Sequence, residues 1–460
     1  MMLIVKYNLL FLLVTFCFGC KNDKKSAKTN KPNIIFLLTD DQRWDALGAA
    51  GNTLIQTPNL DGLARKSQWY TNAYVTTSIC MVSRASILSG QYESKHRIND
   101  FHTSFTQEAF NRTYPVLLRK NGYRTGFVGK FGVGNPKDHP KEAFDFWAGT
   151  PLHQPNYENK DKNGNYIHYT DLLSQNIQKF LKETNEKPFC LSVSFKAPHS
   201  QDGDPRQFIP NPKYADLYKD ITIPQPETAD SKYWDSLPDF FHKEENIARE
   251  RRKLRFETPE KYQESVKNYY RLITGVDAAV GTLIKDLEAK GLKENTIIIF
   301  MGDNGFYLGE HGLAGKWFGH EESIRVPLII YDPRHIPSKN VVNSIGLNID
   351  IAPTILGFAG IEKPALMQGK DLSKRSTKQN TDRNDFFYEH TFLGSPKLPK
   401  VEGVVSITIK YMYYIEHNYE ELFDLTKDPH ETTNLAKDPN YKKLLEQQRA
   451  RYHTLKQEIK

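Results

Sequence analysis

Short apolar runs recur along the chain and predict buried strands. Each run is four to seven residues long and apolar on both faces, which is typical of parallel strands covered by helices on both sides. The runs are Asn33–Thr39, Thr125–Val128, Phe189–Phe195, Thr296–Met301 and Val326–Tyr331. They predict an α/β fold built on a large, mostly parallel sheet.

Apolar residues at steps of three and four predict a long helix at about Tyr262–Lys290. Gly291 follows the helix, and the chain then enters the strand Thr296–Met301. A helix that leads directly into a buried strand is the crossover that parallel strands need.

The pattern changes after about Leu372. The later runs predict three antiparallel strands and a final helix, at Phe386–Tyr388, Val404–Lys410, Tyr411–Glu416 and Tyr441–Ile459. We therefore predict a large domain over residues 32–375 and a smaller C-terminal α+β subdomain over residues 376–460.

The N-terminus predicts an export signal over residues 1–19, with Lys6 ahead of the short apolar run Leu9–Val14. Cleavage there and a lipid on Cys20 would give a bacterial lipoprotein, although Cys17 stands where such signals commonly have Leu. The basic residues 20–31 then predict a flexible tether. We expect a location in the periplasm or on the outer cell surface, with membrane contact only through the lipid anchor.

The cysteines and the net charge further limit the functions and partners that we expect. Beyond the signal and Cys20, only Cys80 and Cys190 remain. Cys190 lies within an apolar strand, where a small buried thiol is ordinary, but a disulfide between the two is also open in an exported chain. The net charge of +7 favours polyanionic partners. Nucleic acid is not expected, because the basic residues are spread along the chain without a recognisable binding motif.

Two of the predicted strands end in pairs of oxygen-bearing side chains. Asp40 and Asp41 follow the first run, and Asp303 and Asn304 follow Thr296–Met301 after Gly302. Ligands gather at the carboxyl edge of a parallel sheet, and four such side chains suit Ca²⁺ or Mg²⁺ better than zinc. The alternative for either pair alone is that it caps a following helix.

Cys80 has a different setting from Cys190. It precedes Ala85–Leu88, which is helical in character, so we expect it just ahead of a helix N-terminus, exposed and with a lowered pKa. Arg84 adds a bidentate donor for a tetrahedral oxyanion. A plain structural or redox cysteine is the alternative.

The sequence resembles the formylglycine-dependent sulfatases, within the alkaline phosphatase superfamily, and in particular bacterial polysaccharide sulfatases. The resemblance extends over nearly the whole chain after the tether. The matching segments include KPNIIFLLTDDQRWDALG (31–48), CMVSRASILSG (80–90), LLRKNGYRTGFVGK (117–130), FKAPHS (195–200), FMGDNGFYLGEHGLAGKW (300–317) and LFDLTKDPHETTNLA (422–436). It implies an alkaline phosphatase-like fold and hydrolysis of sulfate esters.

The resemblance also implies a role for individual residues. Cys80 would be oxidised to formylglycine by a maturation enzyme, and its hydrated aldehyde would attack sulfur. One Ca²⁺ would be bound by this modified residue and by the four strand-end side chains, Asp40, Asp41, Asp303 and Asn304.

The remaining implied residues act on the substrate. Arg84, Lys130 and Lys316 would position the sulfate and stabilise its charge. His199 would donate a proton to the departing sugar oxygen.

The chain departs from the family pattern at two positions. Val82 stands where the signature read by the maturation enzyme has Pro or Ala. Gly132 stands where the family commonly has a histidine, a candidate base for the elimination that regenerates the aldehyde. Another group would then serve as this base, and the candidates in the sequence are His139, His311 and His320.

Two other functions remain open at the level of sequence. A phosphatase or phosphodiesterase of the same superfamily would typically use Ser or Thr with two zinc ions. A non-catalytic lipoprotein that captures sulfated glycans would keep Cys80 as a thiol. For an exported chain with a basic charge and many aromatic residues, we expect a sulfated polysaccharide or its oligosaccharides as substrate. The irregular stretch Ser200–Pro259 would then cross the active-site face.

Overall fold

Eight strands form the central sheet, and seven of them run in the same direction. A computed structural model describes residues 31–183, 187–334, 340–374, 383–394 and 397–460. The predicted export signal, Cys20 and the boundary at residue 375 lie outside these residues. None of the described helices has the length and apolar character that a membrane span requires.

The described residues form sixteen strands. They are β1 (Asn33–Asp40), β2 (Gln68–Tyr74), β3 (Arg124–Gly129), β4 (Phe146–Gly149), β5 (Glu158–Lys160), β6 (Tyr166–His168), β7 (Phe189–Pro198), β8 (Thr296–Gly302), β9 (Tyr307–Leu308), β10 (Ala314–Gly315), β11 (Leu328–Tyr331), β12 (Asn340–Leu347), β13 (Asp385–His390), β14 (Val401–Ser406), β15 (Ile409–Tyr414) and β16 (Tyr419–Asp424).

The same residues form twelve α-helices. They are α1 (Pro58–Ala64), α2 (Cys80–Ser89), α3 (Glu93–His96), α4 (Gln107–Phe110), α5 (Tyr114–Lys120), α6 (Tyr169–Lys182), α7 (Ser231–Asp235), α8 (Ile247–Phe256), α9 (Pro259–Ala289), α10 (Glu321–Ile324), α11 (Ile351–Phe358) and α12 (Lys442–Glu458).

The central sheet has the strand order β12-β2-β11-β8-β1-β7-β3-β4. Its middle strands are buried on both faces, as the apolar runs predict. In β1, Ile34, Phe36 and Leu38 point into one apolar layer, and Ile35 and Leu37 point into the layer on the other face. This burial confirms the predicted large, mostly parallel sheet flanked by helices.

One strand prediction was wrong in direction. The run Val326–Tyr331 forms β11, which is antiparallel to both of its neighbours, β8 and β2. Between β8 and β11 the chain makes only the two-residue strands β9 and β10, a 3-10 turn at Glu310–Gly312 and the four-residue helix α10. With no long helix to carry it back across the sheet, the chain re-enters at the edge where β8 ended and runs in the opposite direction. Burial on both faces gave this strand the same apolar pattern as its parallel neighbours.

A second sheet of four antiparallel strands, in the order β13-β14-β15-β16, confirms the smaller C-terminal sheet. The predicted bounds differ, because the run Val404–Lys410 contains a turn at Ile407 and Thr408 between two strands. The last strand, β16, was not predicted. Helix α12 packs on this sheet, with Tyr452 and Leu455 buried in the apolar layer.

A buried lysine joins the second sheet to the segment that follows β8. The amine of Lys410, in β15, lies 2.9 Å from Oε1 of Glu321, in α10, and 2.7 Å from Oε1 of Glu431. The Lys410 side chain is fully buried. Burial works against its charge, but the two carboxylates raise the pKa of Lys410 and keep the amine protonated.

We expect Lys410→Met to lower the free energy of unfolding by about 3–5 kcal/mol, because two buried carboxylates lose their counter-ion. Urea denaturation measures the change. The control is Lys427→Met, which removes an exposed lysine from its pair with Asp424 and should change the stability little. Equal losses of stability in the two variants would contradict a structural role for the buried contacts of Lys410 with Glu321 and Glu431.

Candidate active site

Four neighbouring parallel strands, β8, β1, β7 and β3, end at the same edge of the central sheet. Their register aligns Thr39 with Gly302, Asp40 with Pro198, and Gly129 with Ser194. The residues at or just after these strand ends are therefore brought together. They are Asp303 and Asn304 after β8, Asp40 and Asp41 at the end of β1, His199 after β7 and Lys130 after β3.

Two further segments complete the cluster. Helix α2 begins at Cys80 and carries Arg84 one turn later, and all ten of its residues are buried. Lys316 follows β10 and is also buried. The helix is longer than the predicted Ala85–Leu88, so Cys80 lies in its first turn rather than ahead of it.

Arg84 ties the helix to the strand ends. Its Nε donates a 2.8 Å hydrogen bond to Oδ2 of Asp303, and its Nη2 lies 3.4 Å from Oδ2 of Asp40. Its Nη1 donates to the carbonyl oxygen of Lys130 at 2.7 Å and to Oγ of Ser194. Arg84 thus contacts residues from β8, β1, β3 and β7.

The other two cations pair with the aspartates of β1. Lys130 donates to Oδ2 of Asp40, and Lys316 donates to Oδ1 of Asp41. Burial alone would raise the pKa of Asp40, but the charge of Lys130 and the other nearby cations hold it well below its usual range. Burial, together with the charge of Asp40, raises the pKa of Asp303 to about 7. The cluster therefore crowds three carboxyl groups into one buried place and needs positive charge around them.

Three buried oxygens of the cluster have no hydrogen-bond partner in the part of the chain that the structure describes. They belong to three of the four predicted metal ligands: Oδ1 of Asp40, Oδ2 of Asp41 and Oδ1 of Asn304. Both oxygens of Asp303, the fourth predicted ligand, already accept hydrogen bonds, from Arg84 and from the backbone amide of Asp41. Buried polar atoms are nearly always satisfied, so unpaired oxygens at one place fit a hard divalent cation.

His199 is oriented by its neighbours. Its Nδ1 lies 2.7 Å from the carbonyl oxygen of Ser200, which can only accept, so Nδ1 carries the proton. Its Nε2 then faces the cluster, 3.5 Å from Oδ2 of Asp41. Burial lowers the pKa of His199 to about 4. Nitrogen and oxygen atoms of Asp40, Asp41 and His199 lie within 4.8 Å of one another, so this histidine also borders the predicted metal position.

The expectation of an exposed, acidic thiol was wrong. Cys80 is 5% exposed, and burial raises its pKa more than the charges of Lys130 and Lys316 lower it. Cys80 and Cys190 are both free thiols, so the disulfide considered between them is not formed. Cys190 lies in β7, opposite Ile34 of β1. An unmodified thiol at position 80 is therefore poorly suited to act as a thiolate nucleophile.

Three residues at the site were not predicted. Gln154 Nε2 lies 3.3 Å from His199 Nε2, and Lys196 donates a 2.6 Å hydrogen bond to the carbonyl oxygen of Pro155. Ser194 accepts from Arg84. Lys196 and Ser194 lie on β7 just before His199. The alternation of side chains along this strand could have indicated that both face the site. Gln154 lies in an irregular loop that carries no sequence signal.

The long stretch Ser200–Pro259 reaches the site through its charged residues. Asp202 pairs with Arg251, at 3.3 Å, and lies 3.7 Å from Arg255 of α8. Burial would raise the pKa of Asp202, but the charges of His199, Arg251 and Arg255 lower it.

The three histidines considered as replacements for the one missing at Gly132 contact residues outside the cluster. His311 and His320 stack on each other, with ring centroids 4.4 Å apart, and His320 contacts the hydroxyl of Tyr307 at 2.6 Å. His139 packs against Phe131, with 5.1 Å between ring centroids. His153 lies in the loop before Gln154. Burial lowers the pKa of His153, and the nearby charges of His102 and Lys130 lower it further.

Similarity to known proteins covers all the residues of this site. The chain matches the family model described as Sulfatase over residues 32–361, which is more than half of its length. The chain belongs to the sulfatase family. A second model, described as N-sulphoglucosamine sulphohydrolase, C-terminal, matches residues 309–458 of this sulfatase.

The sulfatase is similar to an N-acetylglucosamine-6-O-sulfatase of Bacteroides thetaiotaomicron, with 27% identity over 92% of this chain and 86% of the relative. A protein solved in complex with its substrate D-glucosamine-2-N,6-O-disulfate superimposes with a TM-score of 0.78 and 26% identity, covering 93% of this chain and 98% of that one. These similarities confirm the predicted family and the activity of a sulfuric ester hydrolase.

A phosphonate monoester hydrolase of Agrobacterium radiobacter has the same fold, with a TM-score of 0.78 over 93% of this sulfatase and 96% of that chain, at 21% identity. The fold is therefore shared with an enzyme named for another reaction, and the family match rather than the fold identifies this chain as a sulfatase.

Gly132 allows Arg84 to reach the strand ends. Its φ is +70°, and a Cβ built there would lie 2.9 Å from Cδ of Arg84. A histidine at this position would meet the same carbon. In this chain, any side chain at position 132 would need both a positive φ and a shift of Arg84.

We expect Gly132→Ala to lower kcat/KM for a small aryl sulfate at least about ten-fold, because the new methyl group displaces Arg84 from Asp303. The control is Gly360→Ala. Gly360 has a φ of +69° and nothing within 4 Å of its built Cβ, so its variant has a similar backbone strain without the clash. Sulfate release and thermal denaturation are measured for both variants. A similar loss of activity in both would show that backbone strain, and not the contact with Arg84, is responsible.

Proposed function

We propose that this sulfatase removes sulfate from a sulfated polysaccharide or its oligosaccharides, using a formylglycine made from Cys80 beside a bound Ca²⁺. The observation that carries the proposal is the cluster of three unpaired buried oxygens, three cations and residue 80 at one sheet edge. Bound in this place, the formylglycine hydrate supplies a nucleophilic hydroxyl and the cation neutralises negative charge on the sulfate.

Asp40, Asp41 and Asn304 would hold the cation through their unpaired oxygens, with Asp303 beside them. Arg84, Lys130 and Lys316 already neutralise these carboxylates, so a divalent ion leaves the pocket with an excess of positive charge that suits a sulfate ester. The first turn of α2, which begins at Cys80, also presents backbone N–H groups that favour an anion.

His199 is the proton donor in this proposal. The hydrogen bond from Nδ1 to the carbonyl of Ser200 fixes the ring so that Nε2 faces the cluster. The negative charge of a bound sulfate ester would favour the doubly protonated ring, and the proton on Nε2 would pass to the sugar oxygen as its bond to sulfur breaks. Gln154, which contacts the same nitrogen, would help to hold the ring in this position.

Maturation of Cys80 must precede folding in this proposal, because all of α2 is buried. The maturation enzyme would read the segment as an unfolded stretch, in which Val82 is accessible. In the folded chain Val82 is fully buried, so it is compatible with the structure whatever its effect on recognition. Export as a lipoprotein anchored through Cys20 would place the mature enzyme in the periplasm or on the outer cell surface.

The relatives suggest the first substrate to test. The similar enzyme from Bacteroides thetaiotaomicron is named for N-acetylglucosamine 6-sulfate chemistry, and the superimposed structure holds a glucosamine disulfate. We therefore infer that sulfated glucosamine units are substrates of this chain.

Cys80→Ala should abolish sulfate release from glucosamine 6-sulfate and from sulfated glucosamine oligosaccharides. The enzyme is produced together with a formylglycine-generating enzyme, and released sulfate is measured by ion chromatography. Cys190→Ala is the control, since it removes the other described cysteine from inside β7 and should retain kcat/KM. If Cys80→Ala released sulfate at the same rate as the enzyme that keeps Cys80, the proposal would be refuted. Activity confined to aryl sulfates would refute the carbohydrate substrate.

Asp41→Asn and Asn304→Ala should each lower the affinity for Ca²⁺ at least about ten-fold, because each loses an oxygen ligand or its charge. Calorimetric titration of chelator-treated protein measures this affinity. Asp277→Asn is the control, because the Asp277 carboxylate is also buried but accepts hydrogen bonds from Asn59 and Leu60. An unchanged affinity in both site variants would contradict the calcium assignment.

A further inference from the structure

A large cavity lies next to the active site and is not used by the reaction proposed above. Its volume is about 760 Å³, within the range of about 300–1,000 Å³ that is common for ligand sites. Residues 104–120, which include α4 and α5, form one side, and residues 131–143 form the other. Phe131 lines the cavity and directly follows Lys130 of the cluster in the sequence.

The floor of the cavity is aromatic. The ring centroids of Phe105 and Phe110 lie 6.0 Å apart, and those of Phe110 and Phe131 lie 6.3 Å apart. Val116 and Val133 complete this apolar surface. Phe110 and Phe131 are buried beneath the surface, and the partly exposed ring of Phe105 is the one that can contact the C–H face of a sugar.

The rim of the cavity is basic. Lys120, Lys137 and Lys141 are exposed, and their amines make no hydrogen bond or ion pair within the described residues. Arg119 is occupied, because it pairs with Asp145 and donates to the carbonyl of Glu142. The rim carries two acidic residues, Asp138 and Glu142, so its cations are in excess.

A short surface path connects this rim to the proton donor. Ser104 lines the cavity, and His102, two residues earlier, has its ring 6.3 Å from that of His153. The next residue, Gln154, contacts His199. A substrate chain whose reacting sulfate lies at the cluster would therefore pass Gln154, His153 and His102 before it reaches the lysines of the rim.

We propose that this cavity is an accessory site for a second anionic sugar unit of the substrate chain, held by Lys120, Lys137 and Lys141 beside the partly exposed ring of Phe105. The inference rests on the proposed polysaccharide function and adds that the enzyme prefers long sulfated chains to single sugars. Two linked contacts raise affinity because the second binding event is intramolecular. The lysines also attract the polyanion at low ionic strength.

The test compares the combined variant Lys120→Gln, Lys137→Gln and Lys141→Gln with a control of equal charge change, Lys437→Gln, Lys442→Gln and Lys443→Gln. The control lysines are exposed and lie at the start of α12 or just before it. The probes are glucosamine 6-sulfate and a sulfated glucosamine-containing octasaccharide. We expect the ratio of kcat/KM for the octasaccharide to that for the monosaccharide to fall about ten-fold in the cavity variant and to stay unchanged in the control.

Binding separates this inference from the proposed function. Calorimetry on Cys80→Ala, with and without the cavity substitutions, measures the octasaccharide affinity in the absence of turnover. We expect the cavity substitutions to weaken it about ten-fold at low salt and much less at high salt. Equal affinities would overturn the accessory site even if sulfate release is normal, and so would equal affinity for an unsulfated octasaccharide. A missing reaction with intact, cavity-dependent binding would overturn the proposed function alone.

Discussion

Three carboxyl groups at the ends of two adjacent strands share one buried pocket, and this crowding constrains the rest of the site. Two like charges about 4 Å apart repel by about 4 kcal/mol at an effective dielectric constant of 20. Asp40, Asp41 and Asp303 can be buried together because Arg84, Lys130 and Lys316 neutralise them. The same ion pairs fix the segments that carry these cations, so the position of α2, and with it residue 80, follows from the need to balance the carboxylates.

This balance also explains what the pocket can bind. The three carboxyl groups and the three cations balance one another before an ion or a substrate binds. The unpaired oxygens of Asp40, Asp41 and Asn304 still lack a partner, and a divalent cation would satisfy them. The resulting excess of positive charge suits a sulfate ester, which carries a single negative charge. A neutral thiol contributes little to such a pocket, in keeping with the proposed conversion of Cys80.

The strand ends were predictable from the sequence because their signal is local. An apolar run followed by Asp-Asp or by Gly-Asp-Asn marks both the strand and the predicted ligands, and the parallel register then brings these residues together. The direction of β11 was not predictable, because it depends on how the chain returns after β8 and not on the apolar pattern. The burial of Cys80 was missed for a similar reason, since helix α2 is covered by segments far away in the sequence. Gln154 reaches His199 from an irregular loop, and no periodicity marks such a contact.

The similarity to a phosphonate monoester hydrolase shows that this fold does not by itself select the ester that is cleaved. On our account the cleavage of a sulfate ester depends on a formylglycine at position 80. Mass spectrometry of the peptide containing residue 80, taken from enzyme with measured sulfatase activity, tests this most directly. The account predicts the mass of an aldehyde in a fraction that rises with specific activity. A fully active enzyme in which every such peptide still has the mass of the thiol would contradict it.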